Sequence, residues 1–174
     1  MNNKQDIRFQ QLQQWLQGFI TDKNYSLAPA SSDASFRRYF RLQQMDSSFI
    51  VMDSPPEHED NQSFIKVATV LEQFGLNVPH IYQQDLQQGF LILSDLGNTP
   101  YLSQLSVETA DELYKKAIDS LISLQQIPCE NQSLPQYEAS LLQREMQLFD
   151  DWFLQRHLGL NPPEWLAATF DFLT

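Results

Sequence analysis

The sequence predicts an α+β fold in which an N-terminal helix precedes an antiparallel sheet of about five strands with one helix packed on it, and further helices follow. Three patterns lead there. Apolar residues from Ile7 to Ile20 recur at helical spacing, Phe36 to Leu42 alternates large apolar with basic side chains, and after Gly97 the strand pattern gives way to helical spacing.

Ile7, Leu12, Trp15, Leu16, Phe19 and Ile20 form one stripe, which predicts an amphipathic helix from about Lys4 to Ile20. Ser26 to Ala28 is a short strand. A polar turn, Ser31-Ser32-Asp33-Ala34-Ser35, leads into a second strand over Phe36 to Leu42. Its period of two puts Phe36, Arg38 and Phe40 on one face and Arg37, Tyr39 and Arg41 on the other. Phe49, Ile50, Val51 and Met52 form a continuous apolar run ending at Asp53. Pro55 and Pro56 cannot extend a ladder, so this is an inner strand that stops abruptly. Asn61 is placed to cap a helix carrying Phe64, Ile65, Val67, Ala68, Leu71 and Phe74, and Gly75 stands where a left-handed residue closes a helix. Ile81 to Asp85 and Phe90 to Leu93 flank a turn closed by Gly89 and form an antiparallel pair. Val107 to Gln125 and Glu138 to His157 read as helices, the second followed by Gly159, and Pro163 to Leu173 opens as a helix around Trp165, Leu166 and Phe170.

Over 174 residues the formal net charge is -11. A general nucleic-acid binder needs a basic face that releases phosphate counterions, so that class is excluded and any anionic ligand must be met by local arginines. Cys129 is the single cysteine, so no disulfide forms within the chain, and no Cys/His cluster has metal-ligand spacing. A reducing cytoplasm is the expected setting. No apolar run is long enough to span a bilayer, and the polar start from Met1 to Asp6 does not read as a secretory signal. Neither nucleic acid nor membrane is an expected partner.

Small residues in the turn from Ser31 let backbone N–H groups approach an anion, and the arginines beside it offer planar, multi-donor recognition of phosphate oxygens. The blander reading of the same strand is a solvated sheet face with surface ion pairs. Four stretches decide between them: Ala34 to Arg41, Val51 to Glu57, Gly89 to Gly97, and Arg144-Glu145-Met146 with Arg156 to Leu160. Together they resemble the aminoglycoside phosphotransferase superfamily, with its protein-kinase-like fold, over nearly the whole chain from Ser31 onward. The resemblance implies a kinase-like small lobe over residues 1–97, followed over 98–174 by the hinge and the start of a helical large lobe. It also implies phosphorylation of an amino sugar at its anomeric hydroxyl in cell-wall recycling, with ATP and Mg²⁺ in the complete enzyme.

By the same resemblance, Ser32, Ser35, Phe36, Arg37 and Arg38 form the loop over the nucleotide phosphates. Met52 stands near the strand end where most kinases carry a phosphate-pairing lysine, and Leu93, Ser94 and Leu96 belong to the hinge whose backbone meets the adenine edge. With no lysine in that strand, either Arg37 or Arg38 supplies the positive charge or phosphate positioning is weaker. Asp95 is a cleft residue or a turn former. Glu57, Glu59 and Asp60 form an exposed acidic turn, or one of them pairs with Arg37 or Arg38 as a helix acid pairs with the lysine in kinases. Trp15, Trp152 and Trp165 read as core or interface anchors, and His157 as a partner of a helix C-terminus.

The family's catalytic segment begins His-Gly-Asp, and none of His58, His80 and His157 is followed by Gly-Asp. The chain therefore reads as the nucleotide-side part of a kinase that stops before the catalytic loop, with no catalytic and no metal-ligating residue of its own. It is expected to bind ATP, to leave most amino-sugar contacts to the missing part, to be inactive alone, and to expose apolar surface that favours self-association. The alternatives are a non-catalytic nucleotide- or protein-binding module derived from a kinase, or a kinase of another small alcohol such as choline or an amino-sugar antibiotic.

Overall fold

The computed structural model describes residues 6–20, 24–32, 35–128 and 137–173. Cys129, together with Asp33 and Ala34 of the polar turn, lies outside them. The chain divides into two units, Met1–Ile127 and Pro128–Thr174.

The first unit opens with α1 (Ile7–Leu16), capped by the Asp6 carboxylate, which accepts the Phe9 N–H at 3.0 Å. The helix ends before Ile20, where the spacing would have carried it, because the chain tightens into a turn over residues 17–19 containing Gly18, a poor helix former. Five strands follow: β1 (Tyr25–Ser32), β2 (Arg38–Gln44), β3 (Ser47–Asp53), β4 (Ile81–Asp85) and β5 (Phe90–Ser94). They make one sheet in the order β1-β2-β3-β5-β4 with every neighbouring pair antiparallel. β3 is thus the inner strand its apolar run predicts. β1 is longer than Ser26 to Ala28, since it follows β2 from Tyr25 opposite Gln44 to Ser32 opposite Arg38, with a register shift at Pro29 that an edge strand tolerates. β2 starts at Arg38 and not at Phe36, whose N–H bonds a side chain outside the sheet.

Helix α2 (Asn61–Gln73) follows β3. Its cap is Asp60, which accepts the N–H of Ser63, and not Asn61. Asn61 is instead buried and donates Nδ2–H to the Ser54 carbonyl at 2.9 Å, tying the helix start to the end of β3. The β4–β5 turn needs glycine for two reasons. Gly89 has a φ of 74°, and a Cβ there would stand 1.9 Å from the Ser54 carbonyl oxygen.

The sheet separates two apolar layers. On one side Leu12 and Leu16 of α1 meet Phe40, Leu42, Val51, Phe90 and Ile92, with Trp15 packed alongside. On the other, Met52, Leu91 and Leu93 meet Phe64 and Ile65 of α2 together with Tyr39 and Ile50. After β5 come a short helix, α3 (Tyr101–Gln104), which the sequence pattern did not suggest, and α4 (Ala110–Gln125). α4 starts three residues later than expected, because Ser106 and Thr109 bond each other's backbone and side chains in the turn before it. Ile118, Leu121 and Ile122 of α4 remain half exposed.

In the second unit, α5 (Ala139–Leu148) continues into a π-helical segment, Phe149–His157, and α6 (Glu164–Leu173) follows. The spacing predicts one uniform helix from Glu138 to His157, whereas its second half is π-helical, and Gly159 follows it with a φ of 66°. Trp152 and Trp165 are exposed here, unlike the core-packed Trp15. The Arg156 guanidinium lies 4.0 Å above the Trp152 ring, and His157 stacks on Phe153. Among the described residues no helix is long and apolar enough to cross a membrane.

Candidate functional site

β2 carries arginines to both faces of the sheet. Arg38 turns toward α1, where its Nε and Nη2 donate to Asp53 Oδ2 at 2.9 and 2.5 Å and its other edge pairs with Asp6. Arg8 of α1 approaches the same carboxylate from the opposite side, donating from Nε and Nη2 to Oδ1 at 2.9 and 2.5 Å, and reaches the Gln88 carbonyl as well. Asp53 is fully buried. Two guanidinium forks saturate it, which is the condition under which a buried carboxylate is tolerated. The bond from Arg38 holds the Asp6 carboxyl below its ordinary value, and the same contact raises the Arg38 pKa. The cluster fastens α1 to the ends of β2 and β3.

The opposite face holds a cavity of about 540 Å³, walled by Tyr39, Arg41, Ile50, Phe64 and Leu93 and closed by the stretch from Ser94 to Pro100. Arg41 is part of its lining. Its Nε and Nη2 donate to the two oxygens of Asp95 at 2.6 and 3.1 Å, and Nη2 also reaches the Gly97 carbonyl at 3.2 Å. Asp95 accepts further from Ser48 Oγ at 2.5 Å and from the Gly97 N–H at 2.9 Å. The Arg41 guanidinium, with Ser48 and the Gly97 N–H, holds the Asp95 carboxyl far below the usual carboxylate range against the opposing effect of burial. Asp95 is therefore both a turn former and a cavity residue. Its lone pairs are committed, so it is no free base.

Ser94 is pinned to His80, donating its N–H to the His80 carbonyl at 2.8 Å and accepting the His80 N–H on Oγ at 2.9 Å. Among the described residues no protein group bonds the N–H or C=O of Leu96. A backbone donor and acceptor thus stand side by side at the rim of an apolar slot.

The loop before β2 is docked onto the acidic turn. The Phe36 N–H donates to Glu59 Oε1 at 3.1 Å and its ring stacks on His58 with centroids 4.3 Å apart. Arg37 Nε lies 3.1 Å from Glu59 Oε2, an ion pair in which that N–H is not aimed at the oxygen. The Arg37 guanidinium sits 5.3 Å from the centroid of Phe64, a ring that also walls the cavity. Of the three acids in the turn, Glu59 is the one that meets an arginine, and Asp60 caps α2.

Of the residues singled out in sequence, Leu93, Ser94, Asp95 and Leu96 line this cavity. Ser35, Arg37 and Arg38 line a separate groove beside α1, and Ser32 pairs with Arg38 through the backbone at the end of β1. Met52, where a lysine is common, is fully buried against Leu91 and Leu93. Tyr39, Arg41 and Ile50 belong to the cavity and were not singled out as site residues. The strand alternation was the available signal, since it separates Tyr39 and Arg41 from Arg38. No group of three or more His, Cys, Asp or Glu among the described residues can hold a metal ion.

The profile of the phosphotransferase enzyme family matches residues 26–173. The chain is 48% identical over 166 residues to an N-acetylmuramate/N-acetylglucosamine kinase of Pseudomonas aeruginosa, covering 90% of this chain and 49% of that protein. Against the protein of the same description from Pseudomonas putida, identity is 41% over 175 residues, covering 95% of this chain and 51% of the relative. A third, from Neisseria meningitidis, is 36% identical over 153 residues. The chain spans about half the length of the curated relatives it matches.

Proposed function

Because the chain belongs to the phosphotransferase enzyme family, we propose that it is the nucleotide-side portion of an ATP-dependent kinase acting on N-acetylmuramate or N-acetylglucosamine at the anomeric hydroxyl. The observation that carries this reading is the cavity between β2, β3 and the segment after β5. Ile50, Phe64 and Leu93 supply apolar walls for a flat base, and the Leu96 N–H and C=O supply a donor and an acceptor for its edge. A site of this build suits a purine. Phosphates extend toward the loop of residues 35–37, where Arg37 offers a cation in place of the lysine absent from β3. Met52 supports the sheet from its packed interior, and partly exposed Arg38 supports it by binding the buried Asp53.

The described residues do not fit a Mg²⁺ site. In the proposed reaction the anomeric oxygen bonds to the γ-phosphorus as the bridging bond to ADP breaks, and the hydroxyl proton passes to a base outside these residues. Positioning is most of this chemistry, so the small lobe's share is to hold the nucleotide in one pose.

The test is to incubate the protein purified from its source cells with ATP, Mg²⁺ and either sugar, and to follow the product by phosphorus NMR. A phosphate on the anomeric carbon supports the reading. Phosphorylation confined to another alcohol, choline for instance, overturns the acceptor assignment, and absence of ATP binding overturns the nucleotide assignment.

A further inference from the structure

Arg41 is the one basic side chain lining the cavity among the described residues, and protein partners fix its orientation. Asp95 takes its Nε and Nη2, Gly97 takes the remaining Nη2 donor, and Nη1 alone has no protein partner among the described residues. Asp95 is itself only 8% exposed and held by Ser48 and the Gly97 N–H, so the guanidinium cannot rotate without breaking several bonds. β2 begins at Arg38, directly after the loop of residues 35–37, and Arg41 stands three residues further along it, about 10 Å away. A nucleotide with its phosphates at the loop therefore brings its base, and not its phosphates, to Arg41.

We infer that Arg41 is the residue that reads the base: fixed by Asp95, it presents Nη1 as a donor to N7 of the purine, an acceptor that pyrimidines lack, and so sets the preference for purine over pyrimidine nucleotides. This rests on the nucleotide reading above. A lysine cannot replace it, since one ammonium cannot both fill the fork of Asp95 and keep a fixed second edge for the ligand.

Equilibrium binding of ATP, GTP and CTP to the full chain and to Arg41→Lys and Arg41→Met tests it, because the three ligands share one triphosphate. Both variants are expected to weaken ATP about tenfold and to bring its affinity close to that for CTP. Arg41→Lys keeps a cation beside Asp95, and a urea transition at the native midpoint confirms that it folds if Arg41→Met does not. Equal weakening of all three nucleotides means that Arg41 acts on phosphates, and an unchanged ratio of ATP to CTP means that it reads nothing. Either result overturns the inference while leaving the nucleotide site standing. Failure of the unaltered protein to bind any nucleotide overturns the site itself.

Discussion

Arg38 and Arg41 stand three residues apart on one strand and do different work because a strand sends them to opposite faces. On the α1 face Arg38 enters a charge cluster around the fully buried Asp53, shared with Arg8 and Asp6, with its guanidinium over the Phe40 ring. On the α2 face Arg41 meets a single carboxylate, Asp95, at the rim of an open cavity and keeps one donor edge free of protein partners among the described residues. Identical side chains are thus divided between holding the fold and, in the proposed site, meeting a ligand, and what divides them is burial of the partner and saturation of the donors. The α1 face spends its charges on itself. The α2 face leaves one available.

The largest effect that separates the two faces is expected at Asp53. Asp53→Ala takes the shared carboxylate from two arginines, leaving Arg38 only Asp6 and Arg8 only the Gln88 carbonyl, and since both are about one-third exposed and can partly rehydrate, the loss is expected near 3 kcal/mol in urea unfolding. A loss as small as that of a surface ion pair would remove the structural role given to the α1 face. Gly89→Ala comes next. Its Cβ would overlap the Ser54 carbonyl at a positive φ, so a cost of about 2 kcal/mol is expected, with Asp85 and Phe90 shifting to relieve it. Wild-type stability in that variant would mean that the β4–β5 turn is not held against the end of β3.

Acid sharpens the comparison further. The Asp95 pKa is depressed in the folded protein, so the carboxylate's contribution is complete above its ordinary value of 3.8 and disappears as pH falls below that toward the folded value. The stability gap between the wild type and Asp95→Asn should hold constant from pH 7 to pH 5 and narrow by pH 3. A gap that widens on acidification contradicts the latch between Asp95 and Arg41. The smallest effect is expected away from both faces: Lys116→Ala removes only an exposed pair with Glu112 on α4 and should leave the urea midpoint unchanged within error. A clear shift there would show that α4 is held by more than its own turn.

Much of this division is legible in the sequence. The alternation from Phe36 to Leu42 places Arg38 apart from Tyr39 and Arg41, the apolar run at Phe49 to Met52 marks the inner strand, and Gly89 and Gly97 bracket β5 and the first residues of the segment that closes the cavity. What was hidden depends on distant partners. Asp53 looks like a strand terminator until Arg8, 45 residues earlier, is brought against it by the packing of α1. Asp95 has two local readings, and only Arg41 from β2 and Ser48 from β3 show that both hold. Asn61 resembles a cap by residue type, but the Ser54 carbonyl behind it claims its side chain and leaves the cap to Asp60. The π-helical stretch from Phe149 has no comparable signal, since its apolar spacing also suits an ordinary helix.

The most direct test of the account is photolabelling of the protein with 8-azido-ATP followed by peptide mapping, because it reports which face of the sheet the base contacts. Label on the peptides carrying Tyr39 to Arg41 or Leu93 to Gly97 is the expected result. Label confined to α1 and the residues around Asp53 would place the nucleotide on the opposite face and contradict the division of labour between the two arginines.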